Sequence, residues 1–216
     1  MDRAVALVET YLRVNGYLTV TEYPIIESDR FGGYRTVTDL DVLAFRFPRA
    51  GRLVLGKQAR ASKTNLFQAD LALGCPPDSA DMIVGEVKEG KPKLNTAARE
   101  PAVLSAVLTR FGCCQPAEAS GVVSELLNRG SAKTSCGHRV RYVVFASQEP
   151  DAGATTRGKY HMISLGHVQQ FLQDYIREHW GVLRHAESKD PAFGFLVMLE
   201  KGRLSLNQGT SLRRAR

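Results

Sequence analysis

The stretch Met82-Ile83-Val84-Gly85-Glu86-Val87-Lys88 ends an apolar run with a carboxylate and an amine two positions apart. In an extended strand successive side chains alternate faces, so Glu86 and Lys88 project to one side and Ile83, Gly85 and Val87 to the other. A carboxylate beside a cation suits phosphodiester chemistry, because its oxygens can ligate a divalent ion while the amine faces a phosphate. A second acidic stretch precedes it, Thr36-Val37-Thr38-Asp39-Leu40-Asp41-Val42-Leu43-Ala44-Phe45. Asp39 and Asp41 are predicted to share one face of a strand that Pro48 terminates. Two acids on an apolar strand are costly to bury together, since each raises the pKa of the other, and a divalent cation relieves that cost.

Such residues need a sheet to bring them together, and the flanking pattern supplies one. Residues 3–15 carry Ala4, Leu7, Val8, Tyr11 and Leu12 at helical spacing, with Glu9 at the flank of the stripe as a solvated or edge carboxylate. A strand over 17–26, broken or edged by Pro24, leads through the Gly32-Gly33 turn into the acidic strand. Residues 49–69 hold Arg49, Arg52, Lys57, Arg60 and Lys63 with no Asp or Glu, a one-signed cluster that reads as a solvated face or a phosphate-facing surface. It lies in an insertion at about 49–80.

Beyond Lys88 a basic turn carries Lys91 and Lys93, and Asn95 or Thr96 caps a helix that restarts at Pro101 and stops at Gly112. A second helix is expected over 117–128, a buried strand over 139–146, another strand over 159–165 and an amphipathic helix over 168–180. Residues 193–200 read as an edge strand or a short helix, and 201–216 as a basic, solvated tail.

Composition bounds these readings. At 216 residues the chain suits one domain with a full core, and 44% hydrophobic with 24% charged residues argues against extensive disorder. The 29 basic against 22 acidic residues, a net +7, are compatible with a polyanionic partner. Cys75, Cys113, Cys114 and Cys136 have neither zinc-knuckle spacing nor the look of a secreted disulfide framework, so they are expected to be buried small apolar residues in a reducing compartment. The five histidines are scattered and none is paired at helical ligand spacing; His161 reads as a satisfied structural histidine or, alternatively, as one that enters the sheet face near the site. No signal peptide or membrane span is expected, and the expected compartment is the cytoplasm.

In order, the pieces are helix, strand, strand with Asp39 and Asp41, strand with Glu86-Val87-Lys88, helix, strand. Over roughly residues 1–180 this resembles the PD-(D/E)XK superfamily of restriction-endonuclease-like nucleases. The resemblance implies an α/β fold, a mixed central sheet of about four to five strands flanked by helices. It further implies that Asp41 is the first acid, Glu86 the second and Lys88 the lysine of the motif, with Mg²⁺ or Mn²⁺ held by Asp41, Glu86 and the Val87 carbonyl. Asp39 competes for the first position, and Glu9 stands where the family sometimes carries an extra acid on its first helix. Leu40, not proline, precedes Asp41, and the glutamine-tyrosine motif of the helicase-associated exonuclease branch is not found after Lys88. The implied activity is metal-dependent hydrolysis of DNA, with Arg52, Lys57, Arg60, Lys63, Lys91 and Lys93 as candidate nucleic-acid contacts and a homodimer as a further partner. The alternative is a catalytically inactive domain of the same fold that binds nucleic acid or a protein.

Overall fold

The computed structural model describes residues 2–28, 31–50, 69–150, 160–185 and 187–214, and side chains up to 206. The first helix, α1 (Arg3–Val14), starts where the Asp2 carboxylate accepts the Ala4 N–H at 2.8 Å, which satisfies one of the donors a helix start leaves open. It ends at Asn15, and Gly16 at φ 83° turns the chain back. Then follow β1 (Leu18–Ser28), β2 (Tyr34–Arg46), β3 (Asp81–Lys88), α2 (Pro101–Arg110), α3 (Ala119–Arg129), β4 (Ser131–Lys133), β5 (Arg139–Ala146), β6 (His161–Ser164), α4 (Leu165–Glu178), α5 (Trp180–Leu183) and α6 (Pro191–Arg214).

The fold is α/β, with six strands among the described residues in one mixed sheet flanked by helices. The order is β1-β2-β3-β5-β4, with β6 also paired to β5. β1, β2 and β3 run antiparallel in turn, β3 and β5 run parallel, and β4 and β6 take successive stretches of the far edge of β5. A parallel pair needs a crossover, which α2 and α3 provide. One face of the sheet packs Met82, Val84 and Val144 against Leu104, Val107, Leu108 and Leu126 of α2 and α3. The other packs Ile83, Val143 and Phe145 against Val8 and Leu12 of α1 and Leu172 of α4. β3 is therefore buried on both sides until its last residue, Lys88.

The structure departs from the sequence expectations at four places. The sheet has six strands where four to five were expected, because the three-residue β4 carries no sequence pattern of its own. Residues 191–214 form one helix, so of the two readings of 193–200 the helix holds and the edge strand does not, and the stretch from 201, exposed over most of 201–206, continues that helix instead of forming a separate tail. The insertion is partly core: Leu73 is fully buried, and Arg141 donates to its carbonyl at 2.6 Å. Of the cysteines, Cys113 and Cys114 are buried as expected, whereas Cys136 is exposed.

Candidate active site

Glu86 and Lys88 sit at the C-terminal end of β3 on the α2 side of the sheet. Beside them the β2–β3 ladder stops at Val42 opposite Gly85, one step short of Asp41 and Glu86. Gly85 matters to that last rung, because a Cβ there would lie 3.3 Å from the Val42 Cβ, so glycine lets the two strands approach closely. Past the rung β2 keeps its partner β1 but leaves β3. The alternation of faces also breaks here. Leu40 and Leu43 pack in the same core, although strict period-two alternation places them on opposite sides. Opposite this break, Glu22 adopts φ 50°, a left-handed conformation that an ordinary strand does not use.

The fork brings Asp41 to the end of β3. Its Oδ2 accepts the Val87 N–H at 2.7 Å and lies 3.5 Å from Lys88 Nζ. The same Nζ lies 3.0 Å from Glu86 Oε1. Two carboxylates thus converge on one amine on one face of the sheet. In extended backbone a residue's N–H and C=O turn to the same edge, so the Val87 carbonyl also faces the β2 edge where Asp41 lies.

Glu86 is only 3% exposed, and burying a carboxylate this deeply requires donors. It has three. Besides Lys88, the Asn95 N–H donates to Oε1 at 2.5 Å and the Tyr142 hydroxyl to Oε2 at 2.8 Å. Asn95 in turn accepts the Ala97 N–H at 3.1 Å through its side-chain oxygen, and its amide donates to Thr38 of β2 at 2.9 Å. Of Asn95 and Thr96, the two residues expected to cap the next helix, Thr96 takes the cap position of a single turn, Ala97–Arg99, while the Asn95 side chain accepts the turn's first N–H and fixes Glu86 and β2 as well. Pro101 then opens α2. Burial opposes the charge on Lys88, but Glu86 and then Asp41 outweigh it and hold the amine's pKa above the ordinary lysine value. Burial, with the Glu86 carboxylate alongside, pushes the Tyr142 phenol well above its ordinary value, so it stays a donor.

The other expected residues lie elsewhere. Asp39 is exposed, opposite Pro24 on the β1–β2 hairpin, because the break at Asp41 separates the two acids that simple alternation puts together. Glu9 is 7% exposed, not solvated: it takes Arg13 at 2.6 Å and Thr19 Oγ1 at 3.1 Å on the α1 side of the sheet, away from Glu86. Lys91 and Lys93 are exposed on the loop that follows Lys88. Arg52, Lys57, Arg60 and Lys63 lie outside the described residues. His161 bonds the Ala72 carbonyl at 2.6 Å, so of its two readings the structural one holds.

Tyr142 and Asn95 escaped sequence reading as site residues. Tyr142 lies inside a continuous apolar run, and only the parallel pairing of β5 with β3 brings its hydroxyl to Glu86. Among the described residues no group of three or more His, Cys, Asp and Glu side chains is placed to hold an ion. Asp41 Oδ1 accepts no hydrogen bond from a described residue, and the side chains of Asp41 and Lys88 are 27% and 29% exposed. A groove of about 710 Å³ runs between Tyr23–Ile26 of β1 and Ala106–Arg110 of α2, and none of Asp41, Glu86 and Lys88 lines it.

No family model matches the chain, and neither the curated proteins nor the solved structures include a match. No described helix is long and apolar enough to cross a membrane.

Proposed function

We propose that the chain is a metal-dependent nuclease of restriction-endonuclease-like fold that hydrolyses phosphodiester bonds in DNA. The observation that carries the reading is the convergence of Asp41 and Glu86 on the Lys88 amine at the β2–β3 fork. The net charge of +7 and the basic loop at Lys91 and Lys93 favour a polyanionic substrate. A homodimer, with one site for each DNA strand, is part of this reading, as is a cytoplasmic location.

The donor set fits Mg²⁺ or Mn²⁺. All the candidate ligands are hard oxygens, and Mg²⁺ is commonly held by only one or two carboxylates, the rest of its shell being water and substrate phosphate. Asp41, through its uncommitted Oδ1, Glu86 and the Val87 carbonyl would hold the ion. When bound, it would polarise the scissile phosphate and acidify a water. The protein groups then have distinct tasks. Lys88, held between the two carboxylates, orients the attacking water and offsets charge building on the phosphoryl oxygens. Asn95 and Tyr142 hold the Glu86 carboxylate in one orientation. The water oxygen bonds to phosphorus and releases a proton to solvent as the ester P–O bond breaks, and the departing oxygen takes a proton from solvent in exchange.

A second reading, a non-catalytic domain that binds nucleic acid or a protein partner, is favoured by one observation: three donors already occupy Glu86. Incubation of the purified protein with supercoiled plasmid and with linear DNA separates the two. The nuclease reading expects cleavage with Mg²⁺ or Mn²⁺ that chelator abolishes; DNA binding without cleavage supports the second.

A further inference from the structure

Arg99 closes the single turn whose first N–H the Asn95 side chain accepts, and its guanidinium carbon lies 5.4 Å from the centre of the Tyr142 ring, the ring whose hydroxyl donates to Glu86. Two routes thus tie Arg99 to the proposed site: through the Tyr142 ring, and through the backbone from Asn95, whose N–H also donates to Glu86. What Arg99 does not have, among the described residues, is an anion. Its Nε is buried without a hydrogen-bond partner, and it forms no ion pair with a described carboxylate. Other arginines of the chain do: Arg141 holds Asp81, Arg13 holds Glu9 and Arg203 holds Glu200.

A half-buried guanidinium with an unmet donor is an expensive arrangement, and stacking on an aromatic ring offsets only part of the cost. The buried Nε is closed to an arriving anion, but the two terminal nitrogens are not buried and have no described partner, and there an anion can bind. Arg99 has the planar fork of donors that matches two oxygens of a phosphate, where a lysine offers a point charge. Asp41 and Glu86 repel phosphate and Lys88 is already engaged with both, so a further cation helps to admit one.

We propose, resting on the nuclease reading, that Arg99 is a phosphate-binding residue that grips a backbone phosphate of the DNA beside the scissile one. Its resting place over the Tyr142 ring holds the guanidinium beside the residue that donates to Glu86 until the strand is bound.

The test uses the full chain and a fluorescein-labelled 20-base-pair duplex in Ca²⁺, read by anisotropy across a salt series, beside plasmid cleavage in Mg²⁺. Arg99→Gln is expected to weaken duplex binding about tenfold and to lower the slope of log affinity against log salt by about one contact. Arg99→Lys, which keeps the charge and guards against a folding defect, is expected to keep the slope while cleaving more slowly than wild type. A wild-type protein that cleaves, with an Arg99→Gln variant of unchanged slope and rate, overturns the assignment and leaves the nuclease reading standing. A wild-type protein that binds without cleaving, with the slope lost in Arg99→Gln, retains the phosphate contact and removes the nuclease reading. A wild-type protein that does neither overturns both.

Discussion

The two ends of β3 carry the same chemistry, carboxylate beside cation, in opposite states of closure. At the N-terminal end Asp81 is 1% exposed and takes Arg141 at 2.5 and 2.9 Å, Arg139 at 3.1 Å and the Tyr17 hydroxyl at 2.5 Å. Arg141 is itself 6% exposed and spends a further donor on the Leu73 carbonyl. Every charge there is used within the protein. At the C-terminal end one Asp41 oxygen accepts no hydrogen bond from a described residue, and the Arg99 guanidinium has no anion among the described residues. A closed ion cluster fixes an insertion to a sheet; an open one retains electrostatic capacity for something that arrives later. The comparison explains why only one of two similar clusters is a candidate for chemistry.

The largest expected effect belongs to the closed end. Asp81→Ala leaves two arginines without their anion, one of them buried, and should cost about 3–5 kcal/mol in urea denaturation. A loss under about 1 kcal/mol means that the cluster is not the clamp its burial implies. Next comes Asp41→Asn at the open end. Cleavage should fall about a thousandfold, about 4 kcal/mol of barrier, with a change in folding stability of about 1 kcal/mol or less. A stability loss like that of Asp81→Ala would make the two ends equivalent and remove the distinction.

Tyr142→Phe sharpens the contrast within the open end. It deletes one of three donors to a buried carboxylate and should cost about 1.5–3 kcal/mol of stability by thermal or chemical denaturation. Unchanged stability would show that Lys88 and Asn95 suffice for Glu86.

The smallest effect is the pH dependence of Lys88. Its folded pKa is raised above the unfolded value, so its contribution to stability is complete below the ordinary lysine value of 10.5 and is lost as pH rises through the folded value. The destabilisation of Lys88→Met relative to wild type should therefore shrink in strong alkali. At the other end, the arginine pair keeps its charge over the same range. A Lys88→Met difference that is flat with pH contradicts the ion pairing.

Much of this frame is legible in the sequence, for identifiable reasons. Residues 139–146 read as a buried strand because the run is apolar and β-branched, and β5 spans Arg139–Ala146. Pro101 marks a helix restart because proline tolerates only the first turn, and α2 begins there. Glu86 and Lys88 share a face because strand alternation is local. The pairing of Asp39 with Asp41 failed because the break at Glu22 and Asp41 is set by how the hairpin leaves the sheet, which no local pattern records. Tyr142 was illegible for a similar reason: its partner Glu86 lies 56 positions away, and an apolar neighbourhood disguises a polar task. The extent of the helix from 191 to 214 escaped because residues 201–206, mostly exposed, carry no inward stripe to read, although a short helix over 193–200 was one of the two readings.

The central claim is that the open end of β3 carries phosphodiester hydrolysis while the closed end carries structure. The most direct measurement is the initial rate of plasmid relaxation in Mg²⁺ for wild type, Lys88→Ala and Arg139→Lys, prepared in parallel. Lys88→Ala should lose about a thousandfold or more, and Arg139→Lys should stay within about threefold of wild type. Equal rates for wild type and Lys88→Ala would contradict the account.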